Sequence, residues 1–317
     1  MPAINRSELI QRRLENFLGT CLLLGSLATL AGLLGYLFAG WAGLLWTAAM
    51  VAVAAAALSG VPATIVLRRS GALPLAHWQA PRLYQIASEL ARRAELKHVP
   101  LLHYIPDEQI NAFAVGSAQR GNGGIAITEG LLRALSLRET AAVIAHELSH
   151  LRHGDTRMLA LASFLTNAIV YLGLFAQLTL LIAFPWLLEH EQGIPLISLF
   201  IIVISPTAAL LLQLSLSRNR EYAADLEAVA LTGDPEGLAQ ALEVLEHYQS
   251  AWLESIFGKK RRLPLRHRWL SSHPPIQERI RRLQDLTNPP PTPPVIGIDC
   301  SHERADGWVQ IPVRRLR

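Results

Sequence analysis

Cysteine is nearly missing from this chain: there are two in 317 residues, Cys21 inside an apolar run and Cys300 near the C-terminus. That excludes both a disulfide framework and a cysteine-built zinc cluster, and the polar parts of the chain suit a reducing compartment. Excess charge is also scarce. A formal net charge of +4 and a pI of about 9.3 do not argue for nucleic acid, because the arginines sit mostly beside apolar blocks, where anionic lipid is the natural partner. No internal repeat is evident.

What the chain has in excess is apolar side chains, 51% of residues with a mean hydropathy of +0.27, gathered into blocks that point to membrane spans. Residues 17–39 and 41–67 carry no charge, and each exceeds the roughly 20 helical residues needed to cross a hydrocarbon core. The first is too long for a signal peptide, whose apolar region runs about 7 to 15 residues, and a second span follows it at once. A second pair of spans is expected over residues 158–184 and 194–216, with Pro206 a kink. The alternative is that these are buried core helices of a globular enzyme. Arg6, Arg12, Arg13, Arg68, Arg69, Arg152, Arg157, Arg218 and Arg220 lie outside the spans on one side, whereas the two connecting turns hold only Glu189 and Glu191. Both termini and both large polar segments are therefore expected in the cytoplasm.

The expected organisation is an N-terminal segment with a transmembrane hairpin (1–69), a first polar part (70–157), a second hairpin (158–216), a second polar part (217–288) and a tail from Pro289, opened by the polyproline-like PPPTPP. Residues 70–157 hold AAVIAHELSHLRHGD. Ser136 with Glu139 makes a capping box and Gly154 suits a helix C-cap, so a helix is predicted between them. On it His146 and His150 project from one face a turn apart, a spacing that lets both imidazoles hold one Zn²⁺. Glu147 stands beside the first of them, placed to accept a proton from a water that zinc has acidified and to pass it to a leaving amine. The bare HExxH pattern is common enough by chance to be only suggestive.

Catalytic zinc sites take three protein ligands. The best third candidate lies in SRNREYAAD, residues 217–225, just past the fourth span, where Glu221 can ligate and Asp225, a turn on, can accept the second ring N–H of His146. Taken alone, those residues are equally a solvated helix end. His150 is about eight residues before the third span and Glu221 about five after the fourth. At 1.5 Å per residue the metal is therefore expected within roughly 10 Å of the membrane boundary.

HELSH, SRNREYAAD, NAFAVG (111–116) and SHPP (272–275) together resemble the signature blocks of the HtpX-type membrane zinc metallopeptidases, relatives of the CAAX prenyl proteases, over about residues 80–285. The resemblance implies a mainly α chain: four transmembrane helices plus a cytoplasmic α+β gluzincin-type zinc peptidase domain with a small β-sheet. It also implies one catalytic zinc held by His146, His150 and Glu221, with Glu147 as the base. The expected setting is a bacterial-type plasma membrane, with the lipid bilayer and membrane-protein or unfolded polypeptide substrates as partners and no nucleic acid. The basic insert GKKRRLPLRHRW (258–269) and the tail after Pro289 depart from that pattern and bear on substrate choice.

Two further blocks have physical readings. NAFAV and GGIAIT, separated by Gly and Asn, read as a hairpin, and an exposed edge along Asn111, Ala112, Phe113 and Ala114 would let an extended substrate add as a strand; an ordinary structural hairpin fits equally. In SHPPIQERIRRL, His273 and Arg279 can donate to an oxyanion, or be a helix start with a surface arginine. The expected activity is a membrane-embedded zinc endopeptidase in quality control of damaged or misassembled membrane proteins. Its rivals are a CAAX-type processing protease, a site-2-type intramembrane protease, and a catalytically silent zinc-binding scaffold or stress sensor. Flanking charges at Arg138, Glu139 and Arg152 oppose the intramembrane reading, and the retained Glu147 opposes the scaffold.

Overall fold

The computed structural model describes residues 6–59, 62–117, 121–189, 195–257 and 276–284. The elements in chain order are α1 (Arg6–Ser59), α2 (Ala63–Arg69), β1 (Leu73–Pro74), α3 (Pro81–Arg93), β2 (Leu101–Ile105), β3 (Ala112–Val115), β4 (Gly124–Thr128), α4 (Glu129–Ala134), α5 (Leu137–His153), α6 (Asp155–Glu189), α7 (Leu196–Thr232), α8 (Pro235–Phe257) and α9 (Ile276–Gln284). They fall into two compact units. One is assembled from residues 1–13, 62–156 and 221–317, the other from 14–61 and 157–220.

The first unit is built on a four-stranded mixed sheet in the order β1-β2-β4-β3. β2 and β4 run parallel, whereas β3 pairs antiparallel with β4, Ala114 opposite Ile125. All five residues of β4 are buried, as expected of an apolar strand covered on both faces. On one face lies a core in which Leu83 and Leu90 of α3, Leu102, Ile125, and Ile144, Leu148 and Leu151 of α5 pack with Ala228 and Val229 of α7 and Leu242 of α8. Ile144, Leu148 and Leu151 recur at the three- and four-residue spacing that makes one helical stripe, and burying each fully contributes about 1.5–3 kcal/mol. On the other face, Ala63 and Leu67 of α2 pack on Ile105, Val115 and Ala126. Here the structure departs from the expected span over 41–67. α1 stops at Ser59, and Pro62, which cannot donate a helical hydrogen bond, starts a separate short helix that belongs to the sheet. Periodicity could not separate these parts, since an apolar run reads alike in lipid and in a protein core.

In the second unit, α1 is interrupted at Ala39 and Gly40, where the backbone leaves helical values and Gly40 takes φ 56°, a conformation that favours glycine. The chain folds back there: a Cβ on Gly43 would lie 1.9 Å from the Gly35 carbonyl oxygen, so only glycine permits that approach. Leu27, Ala31 and Leu34 of α1 pack with Ala162, Leu165 and Ile169 of α6 and with Ala209 and Leu216 of α7. Pro206 inside α7 removes the N–H that Ile202 would otherwise receive. The vacated carbonyl is taken up by the Gln177 side-chain amide of α6 at 3.0 Å and the Ser205 hydroxyl at 3.2 Å. Asn219 of α7 likewise donates to the Asn16 carbonyl and the Thr20 hydroxyl of α1 at 2.7 and 2.9 Å.

Outside that small core, the second unit turns large apolar side chains outward. Trp46, Leu181, Ile182 and Leu196 are 76, 73, 72 and 83% exposed. A water-soluble protein does not show so extensive an apolar exterior. Three helices among the described residues, spanning Gln11–Leu58, Asp155–Trp186 and Leu196–Thr232, are long and apolar enough to cross a membrane.

Candidate metal centre and active site

The site lies in the first unit, on α5 and on the C-terminal part of α7. Ser136 and Glu139 close the capping box at the start of α5, and Gly154 ends the helix in the left-handed conformation at φ 70°. Between these ends, His146 is buried, while Glu147 and His150 are partly exposed. The two Nε2 atoms stand 3.2 Å apart. Glu221 of α7 reaches in with Oε2 3.5 Å from His146 Nε2 and Oε1 3.9 Å from His150 Nε2. His146, His150 and Glu221 thus offer three ligand atoms all within 4.8 Å of one another. Tetrahedral zinc ligands at about 2.0–2.1 Å from the ion stand about 3.4 Å from each other, so the donor set fits zinc in chemistry and spacing.

Around the triad lies a layer of charge. His146 Nδ1 is 3.0 Å from Asp225 Oδ1, an ion-pair contact whose alignment falls short of a hydrogen bond. Arg279 of α9 donates from Nε and Nη2 to the two oxygens of Asp225 at 2.7 and 2.6 Å, and its Nη1 is 3.3 Å from Glu221 Oε2. Arg279, which sequence reads either as an oxyanion donor or as a surface arginine, is buried, with all three of its guanidinium nitrogens against carboxylates. A buried arginine is held by the negative charge nearest to it, so here it braces a ligand and that ligand's neighbour. His273 and the basic insert 258–269 lie outside the described residues.

The structure adds two partners that sequence reasoning missed. His150 Nδ1 is 2.8 Å from Asp155 Oδ2, and Asp155 is 1% exposed. The available signal was an acid immediately after the glycine that caps the ligand helix. Glu227, also buried, receives Arg152 of α5 and, at 2.8 Å, Arg13 of α1, fastening the two ligand-bearing helices together just past the ligands.

Electrostatics follow this geometry. Burial alone would lower the His146 imidazole, but the Asp225 and Glu221 carboxylates outweigh it and lift it to about 10. Burial pushes the Glu147 carboxyl above its ordinary range, against the nearby His150 and His146 and the Ala114 backbone N–H, which favours its taking up a proton. Ala114 belongs to β3, the edge strand on this side of the sheet, and its carbonyl receives the Thr156 hydroxyl at 3.4 Å. Of the expected substrate strand, Ala112, Phe113 and Ala114 lie in β3, and Asn111, just before it, is tied by its N–H and carbonyl to the Thr128 hydroxyl.

Two histidines and a carboxylate converge from two helices, with a second carboxylate beside the first histidine, and form a site able to hold one metal ion. Comparison with known proteins agrees. Residues 77–287 match Peptidase family M48. "Protease HtpX homolog" of Campylobacter concisus (strain 13826) is 40% identical over 189 residues, 60% of this chain and 65% of that protein, so the chain spans slightly under two thirds of that relative's length. "Protease HtpX homolog" of Salinibacter ruber (strain DSM 13855 / M31) is 33% identical over 285 residues, covering 86% of this chain and 98% of the relative. Among solved structures, the crystal structure of S. mikatae Ste24p matches 87% of this chain and 66% of its own with a TM-score of 0.46 at 19% identity. The chain belongs to peptidase family M48.

Proposed function

We propose that this protein is a zinc-dependent endopeptidase anchored by four membrane spans, with its catalytic unit and both termini in the cytoplasm, that cleaves extended segments of damaged or misassembled membrane proteins. The observation that carries the reading is the convergence of His146, His150 and Glu221 with Glu147 beside them. Family membership and the HtpX names of the relatives support it. The fold-back at Gly40 supports counting the first apolar helix as two spans.

In this mechanism His146, His150 and Glu221 hold the metal. When bound, zinc supplies a Lewis acid that polarises the scissile carbonyl and makes water acidic enough to attack it near neutral pH. Glu147 takes the proton of the attacking water and delivers it to the amine nitrogen as the peptide bond breaks. Asp225 and Arg279 keep His146 and Glu221 in place. The edge of β3 supplies backbone groups beside which an extended substrate can lie.

Purified in detergent, the protein should hydrolyse casein, lose that activity to a zinc chelator and regain it on zinc addition. Zinc binding without cleavage of any peptide would favour the silent scaffold. The orientation has its own check. In a background with Cys21 and Cys300 replaced by Ser, a cysteine at Gln192 should react with an impermeant thiol reagent added to intact cells, and one at Gln119 should not. The reverse pattern would overturn the orientation drawn from the arginines.

A further inference from the structure

We infer that Asp155 is a positioning residue for the second histidine of the triad, and that the Gly154–Asp155 turn exists to deliver its carboxylate there. The inference rests on the zinc reading above. His150 has two ring nitrogens with different tasks: Nε2 faces His146 and Glu221, whereas Nδ1 is 2.8 Å from Asp155 Oδ2. An N–H held by a carboxylate fixes the tautomer, leaves the lone pair on Nε2 aimed into the site, and makes that nitrogen a stronger donor. His146 has its own carboxylate in Asp225, so each histidine is matched to a separate acid.

The route by which the chain supplies this acid is local. α5 ends at His153, Gly154 turns the backbone at φ 70°, and α6 begins at Asp155, so five residues separate ligand and carboxylate. A Cβ at Gly154 would meet no atoms within 4 Å, yet that φ strains any residue bearing one. The glycine is therefore needed for direction rather than for space. At 1% exposure Asp155 is far more buried than an acid serving only the first turn of a helix needs to be.

The test compares the full-length protein in detergent with Asp155→Ser, Asp155→Asn and Glu221→Ala. Two quantities are read: zinc affinity, by competition with a chromophoric chelator, and the thermal midpoint of the metal-free protein. Asp155→Ser is expected to bind zinc roughly 10–100-fold more weakly, the usual effect of losing a partner behind a ligand histidine, at an unchanged metal-free midpoint. Asp155→Asn should fall between it and the parent, since an amide oxygen still accepts the ring proton but brings no charge. Unchanged affinity in both Asp155 variants, alongside weakened binding in Glu221→Ala, would overturn the inference and leave the zinc reading standing. A lowered metal-free midpoint with unchanged affinity would also overturn it, reducing Asp155 to a helix-end acid. A parent protein that binds no zinc in the competition assay would overturn the zinc reading, and this inference with it.

Discussion

Glu147→Gln should lose peptide hydrolysis by about 100-fold or more, the lower end of what general acid–base catalysis contributes, while zinc content stays at the parent level. The amide is nearly the same size as the carboxyl, so packing on α5 is retained and His146, His150 and Glu221 are untouched. Only the capacity to take and return a proton is removed. The substitution also deletes a carboxyl whose charge is opposed by burial, so no buried cation is stranded and folding should not suffer. Parallel measurement of casein hydrolysis and metal content decides the matter. Cleavage within a few-fold of the parent would mean that another group serves as the base.

Glu221→Ala should behave in the opposite way, losing metal first and activity as a consequence. Its zinc affinity is expected to fall well beyond the roughly 10–100-fold that follows from losing a supporting partner. The fold should survive, because Arg279 keeps both of its hydrogen bonds to Asp225. Replacing Arg279 instead would leave two buried carboxylates without their cation, and breaking a buried pair from one side costs about 3–5 kcal/mol. Metal content by atomic absorption, beside circular dichroism, separates these outcomes. Full zinc occupancy in Glu221→Ala would show that the third ligand lies elsewhere.

Local signals were legible wherever the chemistry is local. The ends of α5 could be read because Ser136, Glu139 and Gly154 act within a turn of where they stand. The facing of His146 and His150 follows from helical spacing alone. Glu221 could be reached because its four-residue offset from Asp225 repeats the same arithmetic on a second helix. What sequence could not show is where a long side chain ends up. Arg279 sits 54 residues from Asp225; helical spacing puts it on the stripe of Ile276, Ile280 and Leu283, apart from the exposed Arg281 and Arg282, but does not name the carboxylate it meets. Asp155 drew no functional reading from sequence, because it stands five residues from His150 across the glycine that ends α5, outside the three- and four-residue spacing of helical partners. The apolar stretch ending at Leu67 looked like one span, because sequence records hydrophobicity and does not say whether lipid or a sheet will cover it.

The unit that carries the centre is discontinuous, gathered from residues 1–13, 62–156 and 221–317, and that sets when during synthesis the enzyme can come into being. A ribosome that has finished α5 has made both histidines and Glu147, but not Glu221, Asp225 or the Glu227 to which Arg13 and Arg152 attach. The apolar helices over 155–186 and 196–232 must be made first, and Arg279 comes later still. A nascent or truncated chain therefore lacks the full ligand set, which is complete only once both long apolar helices have been made. On the proposed reading, such an order of assembly would keep an unfinished copy from cleaving its neighbours.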